Sequence, residues 1–84
     1  MAYELRIDKH AGRTLAKLPN DIAARIFNKL RETKDDPFRH WERLEGRADY
    51  KLRIGDYRAI ADLNESRRTI EVTKIGHRRN VYEH

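Results

Sequence analysis

At the start of the chain Tyr3, Leu5 and Ile7 alternate with Glu4 and Arg6, the period-two pattern of a half-buried strand. Asp8 follows as a helix cap. Ala11, Leu15 and Leu18 then recur at i, i+4 and i+7, which predicts a helix through about Leu18 with one apolar face. Pro19 cannot extend that helix, and Asn20 suits the cap of the next. Ile22, Ala23, Ile26, Phe27 and Leu30 form an apolar stripe, with Arg25, Lys29, Arg31 and Glu32 on the other side. The second helix ends at "KDDP", residues 34–37. The two helices make a hairpin that must cover something, and their charged outer faces read as solvated surface.

Residues 38–49, "FRHWERLEGRAD", read as a connector that Phe38, Trp41 and Leu44 anchor to the core. Stacking on a base is the alternative role for Trp41. Beyond it the period changes to two. "YKLRI" alternates, "YRAIADL" follows after Gly55-Asp56, and "RTIEVTKI" follows the polar turn "NESR". The order β-α-α-β-β-β predicts an α+β fold: an antiparallel sheet with a helical hairpin packed on one face. Residues 1–84 read as a single domain.

The Gly55-Asp56 turn fixes a register. As a two-residue loop it sets Ile54 opposite Tyr57, Arg53 opposite Arg58, Leu52 opposite Ala59, Lys51 opposite Ile60 and Tyr50 opposite Ala61. Tyr50, Leu52, Ile54, Tyr57, Ala59 and Ala61 then share the side the helices cover. Lys51, Arg53 and Arg58 share the other. Like charges set opposite one another cost a few tenths of a kcal/mol to about 1 kcal/mol. Either water and salt screen them on a solvated face, or an anion lies between them and reverses the sign of the interaction. The second reading makes the face an oxyanion or phosphate cradle. "IGHRRNVYEH", residues 75–84, adds His77, Arg78 and Arg79 in a dense cationic tip, with Tyr82 four residues beyond Arg78. Histidine suits proton transfer near neutral pH, although a single exposed histidine is ordinary surface as well.

Composition sharpens this. Of 84 residues 39% are charged and 38% hydrophobic, and the net charge is +5. So short a chain buries only about 60% of its unfolded surface, enough for one modest core. Thirteen of the nineteen cations are arginine, whose planar fork suits bidentate phosphate or carboxylate contacts. A polyanion or an acidic protein is the favoured partner class, and a soluble basic surface with no specific partner is the alternative. There is no cysteine, which excludes disulfides, zinc thiolates and thiol catalysis. The chain opens without an apolar leader segment, and no apolar run approaches the roughly 20 residues a membrane span needs. The expectation is a soluble, cytoplasmic protein with no membrane association. No histidine or carboxylate pair has metal-ligand spacing, so neither metal nor cofactor is expected.

Metal-free cleavage of RNA needs three things. The 2′-hydroxyl must lose a proton, the phosphorane charge must be stabilised, and the leaving 5′-oxygen must gain a proton. Fixed arginines supply the second. Lys51, Tyr82 or His77 are the candidates for moving protons. No strong base is evident, because arginine does not deprotonate.

The order of elements, "RLEG" before the second strand, "YKLRIGDYR" and "IGHRRNVYEH" together resemble the RelE/ParE superfamily of toxin–antitoxin toxins. "GDYR" is common to the superfamily, whereas "YKLR" with "GHRRNVY" resembles its RelE branch. The resemblance implies a type II toxin that is an endoribonuclease, an mRNA interferase cutting mRNA in the ribosomal A site without metal. It carries basic catalytic positions onto Lys51 and Arg53, the latter a lysine in some members. It also places a transition-state arginine at Arg58, a further arginine at Arg78, and an mRNA-orienting tyrosine at Tyr82. Arg79 of the cationic tip and Lys74 are expected as additional RNA or ribosome contacts. The implied partners are a RelB-like antitoxin, acidic and partly disordered when free, the ribosome and mRNA, with the oligomeric state set by the antitoxin complex. Two alternatives stay open: a ParE-like inhibitor of DNA gyrase without nuclease chemistry, and a non-catalytic basic RNA-binding relative.

Overall fold

The structure, a computed structural model, describes residues 2–77. Its elements are β1 (Glu4–Ile7), α1 (Lys9–Lys17), α2 (Asn20–Glu32), α3 (Pro37–His40), β2 (Glu42–Arg43), β3 (Tyr50–Ile54), β4 (Tyr57–Asn64) and β5 (Thr69–His77). The strands form one sheet in the order β1-β5-β4-β3-β2. The α+β class and the helical hairpin over one face are as expected.

Asp8 caps α1 as the pattern predicts, its Oδ1 accepting from the Ala11 amide at 2.9 Å. Asn20 does not cap α2. The cap position falls on Pro19, without a side-chain hydrogen bond, and Asn20 is the first helical residue. The stripe on α2 is also narrower than the sequence suggests. Ile26 and Leu30 are buried to 1% and 0% exposure, but Phe27 is 43% exposed. It turns outward, with the Arg31 guanidinium 6.0 Å from its ring centre.

Two further differences concern the sheet. β1 pairs in parallel with β5, Glu4 with Thr69 through Ile7 with Val72, while the other pairings are antiparallel. The helical hairpin carries the chain away from β1, and the three-strand meander returns its last strand alongside in the same direction. The connector is also more ordered than expected. It holds the single-turn α3, opened by Pro37, and the two-residue β2. Trp41 there is a structural anchor. It is buried to 3%, and its Nε1 donates to Thr33 Oγ1 at 3.0 Å, while Thr33 Oγ1 donates to the Leu30 carbonyl at 2.7 Å.

The main core lies between helices and sheet and includes Ala11, Ile26, Leu30, Trp41, Leu52, Ile54, Ala59, Ile70, Val72 and Ile75. On the opposite face Leu44 packs on Ile60 in a separate buried pair. The loop after β2 therefore shields part of that face and leaves the end near the β3–β4 turn open. No helix among the described residues is long and apolar enough to cross a membrane.

Candidate nucleic-acid interface

The hairpin has the predicted register, with Ile54 opposite Tyr57, Arg53 opposite Arg58 and Lys51 opposite Ile60. Gly55 has φ of 60°, the positive value that a type II′ turn demands at its first central position and that glycine adopts without strain. Pairs along such a ladder alternate between hydrogen-bonded and closer, non-hydrogen-bonded types. The Arg53–Arg58 pair, second from the turn, is of the closer type. Two guanidinium stems thus leave the sheet side by side. On β5 the position facing Arg58 is Gly76, which adds no side chain there and leaves space beside the arginine.

Lys51 lies on the same face, half-buried, with its Nζ 3.8 Å from Glu42 Oε1 across the β2–β3 pair. Glu42 is a residue the sequence pattern missed. A two-residue strand has no readable period, and its only signal is that Glu42 and Leu44 fall on alternate positions after Trp41. The side chains Lys51, Arg53 and Arg58 line a cavity of about 500 Å³ together with Glu42, Leu52, Lys29, Arg39 and His40. Among its described lining residues Glu42 is the single carboxylate.

Lys74 pairs with Ile60 and so lies on the basic face, further from the turn. His77 does not join Arg53 and Arg58. β5 runs on through Gly76 to His77, two residues past Ile75, and His77 pairs with Tyr57 on the helix-covered side. Its ring meets the Tyr57 ring edge-on at 5.5 Å, and it lines a second cavity with His10, Thr14 and Leu18 of the first helical segment. Arg78, Arg79 and Tyr82 lie outside the described residues. Among the described residues no group of three or more histidine or acidic side chains gathers to hold a metal ion.

The chemistry available on the open face is anion recognition. Paired guanidinium groups present donors in a fixed fork, a lysine adds a mobile ammonium, and the neighbouring carboxylate can accept a proton.

The five-stranded sheet with helices on one face is the fold of solved RelE toxins. A family model described as the ParE toxin of the type II toxin–antitoxin system parDE matches residues 5–82, and the chain belongs to this family. It is a toxin of a type II toxin–antitoxin system. A search of curated protein sequences found no match. Among solved structures, the chain is similar to the toxin–antitoxin complex RelBE2 of Mycobacterium tuberculosis, with a TM-score of 0.83, 25% identity, and coverage of 92% of this chain and 99% of that one. It is also similar to the archaeal RelE–RelB complex from Pyrococcus horikoshii OT3, with a TM-score of 0.80 and 26% identity, covering 96% of this chain and 100% of that one. The intact E. coli RelBE complex gives a TM-score of 0.76 and 26% identity, covering 90% and 96%.

Proposed function

We propose that this toxin is a ribosome-dependent endoribonuclease that cleaves mRNA in the A site, with arginines in the charge-stabilising role that metal ions fill in other nucleases. The observation that carries the reading is the Arg53–Arg58 pair beside Lys51 and Glu42 on one uncovered face. In the reaction the Glu42 carboxylate takes the proton of the 2′-hydroxyl, and the 2′-oxygen bonds to phosphorus. Arg53 and Arg58 hold the non-bridging oxygens as negative charge builds on them. The bond from phosphorus to the 5′-oxygen breaks, and the Lys51 ammonium supplies the proton that oxygen needs. The products are a 2′,3′-cyclic phosphate and a free 5′-hydroxyl. Glu42 then returns its proton to Lys51, its neighbour at 3.8 Å.

From the family resemblance, Arg78 is a further catalytic arginine and Tyr82 stacks on or orients the mRNA. Arg79 and Lys74 are proposed to contact RNA or ribosome. His77 supports the end of β5 rather than carrying a proton in this scheme. The solved relatives are complexes with RelB-type antitoxins. A RelB-like antitoxin with an acidic segment is the matching partner here, neutralising the basic face and blocking access to the ribosome. The site of action is the cytoplasm, where translating ribosomes are.

A second reading, inhibition of DNA gyrase without nuclease chemistry, is favoured by the name of the matched family, the ParE toxins. Primer extension on a defined mRNA in a reconstituted translation reaction separates the two. Cuts confined to ribosome-occupied codons are expected. Intact mRNA together with lost supercoiling in a gyrase assay would establish the second reading instead.

A further inference from the structure

The cavity beside the candidate site extends beyond it. β2 pairs only with Tyr50 and Lys51, so the edge of β3 from Leu52 onward has no strand neighbour among the described residues. The cavity lies along this edge. Its near wall is Lys51, Leu52, Arg53 and Arg58. Its far wall is Lys29 from α2 with Arg39 and His40 from the end of α3.

Charge and position decide what fits. Lys29, Arg39, Lys51, Arg53 and Arg58 are five cations against the one carboxylate of Glu42. Lys29 has a second neighbour, Glu32 at 3.6 Å, but that pair is largely exposed and is readily exchanged for another anion. Arg58 is on β4, whereas Lys29, Arg39 and His40 come from helices and reach the cavity separately from the hairpin. One phosphodiester carries a single negative charge, so it leaves most of these cations uncompensated and cannot satisfy both walls. Two successive phosphates of one strand can, and a cavity of about 500 Å³ has the size of a site for a small organic ligand such as a nucleotide.

We infer that Lys29 and Arg39, with His40 beside them, form a second phosphate subsite, which binds the phosphate next along the RNA strand from the one held by Arg53 and Arg58. This rests on RNA being the substrate. The strand then crosses the free edge of β3, and the second contact fixes which phosphate sits between the arginines. Positioning of this kind carries no base preference, because phosphate contacts set register and orientation.

The test uses a 2′-O-methyl heptanucleotide, which cannot be cleaved because its 2′-oxygens are blocked. Binding is measured by fluorescence anisotropy over a series of salt concentrations. Lys29→Ala and Arg39→Ala are each expected to weaken binding several-fold and to lower the log–log salt slope by about 0.7, the value for one phosphate contact on a single strand. The double variant loses more than tenfold in affinity. Arg13→Ala, a change to an exposed cation on α1, controls for net charge and should bind within twofold of the wild type. Melting curves confirm that each variant is folded.

If Arg58→Ala weakens binding while the Lys29 and Arg39 variants match the wild type in affinity and slope, the second subsite is wrong and the RNA reading stands. Equal losses in the Arg13 variant would replace the subsite with a diffuse field and also overturn it. A wild-type protein that does not bind the oligonucleotide, or that binds it unchanged after Arg58→Ala, overturns the second subsite and the phosphate cradle together, and primer extension on the ribosome then decides the RNA reading.

Discussion

Arg58 is half-buried, opposite Arg53 and beside the side-chain-free Gly76, so its stem is packed on the sheet and its guanidinium has room beside it for an anion. A fixed charge aimed at a developing one is worth more than a mobile charge, because nothing has to reorganise during the reaction. Losing one such donor typically costs about 10²–10³ in rate. Arg58→Ala should therefore abolish growth arrest at equal expression, with a melting temperature close to that of the wild type; a variant that stays fully toxic would remove the cradle from the mechanism. Glu42 calls for a different measurement, since it is proposed to accept a proton and not to bind. Glu42→Gln keeps its shape and removes its basicity. Cleavage on the ribosome should fall by about 10²–10⁴, while affinity for the uncleavable oligonucleotide holds or rises because a negative charge has left the cavity. A drop in affinity matching the drop in rate would make Glu42 a structural partner of Lys51 only.

At the scale of elements, α2 shows how far a helical pattern can be read. Five apolar positions span about 140° of the helix circumference, yet only Ile26 and Leu30 are sealed, because a single helix lying on a sheet touches it along a strip narrower than its apolar face. Phe27 borders that strip and opens to solvent. Ile26→Ala should cost about 2–5 kcal/mol, whereas Phe27→Ala should stay within about 1 kcal/mol. Thermal denaturation of the two variants checks this, and equal losses would place Phe27 in the core. The β3–β4 hairpin was readable to the residue because strict alternation meets a glycine turn. Lys51, Arg53 and Arg58 followed from it. Periods need length, so the single turn of α3 and the two residues of β2 were invisible, and Glu42 with them. His77 was grouped with the arginines because the last strand was expected to stop at Ile75. Two more residues of strand carry His77 to the helix-covered side. The parallel pairing of β1 left no trace, since alternation looks the same whichever way a neighbour runs.

Across the whole molecule the two faces of the sheet have separate tasks. Among the described residues the helix-covered face holds nearly all the sealed apolar side chains, and the basic face adds the small buried Leu44–Ile60 pair. Charges on that face are therefore free to be set for binding, even where they oppose folding. Arg53 is exposed and directly opposite Arg58, and opposed like charges cost a few tenths of a kcal/mol to about 1 kcal/mol. Arg53→Thr puts a good strand former at the same position and lowers the net charge from +5 to +4. For a domain of this size 1 kcal/mol corresponds to about 4–8 °C, so at low salt the variant should melt a few degrees above the wild type. The gap should close near 1 M salt, where the screening length falls to about 3 Å. The same variant should lose toxicity, because the repulsion that weakens the free protein is the attraction that holds the phosphate. A variant that melts lower at every salt concentration would show that the two arginines are stabilised together within the folded chain, and the case for an anion between them would fall with it.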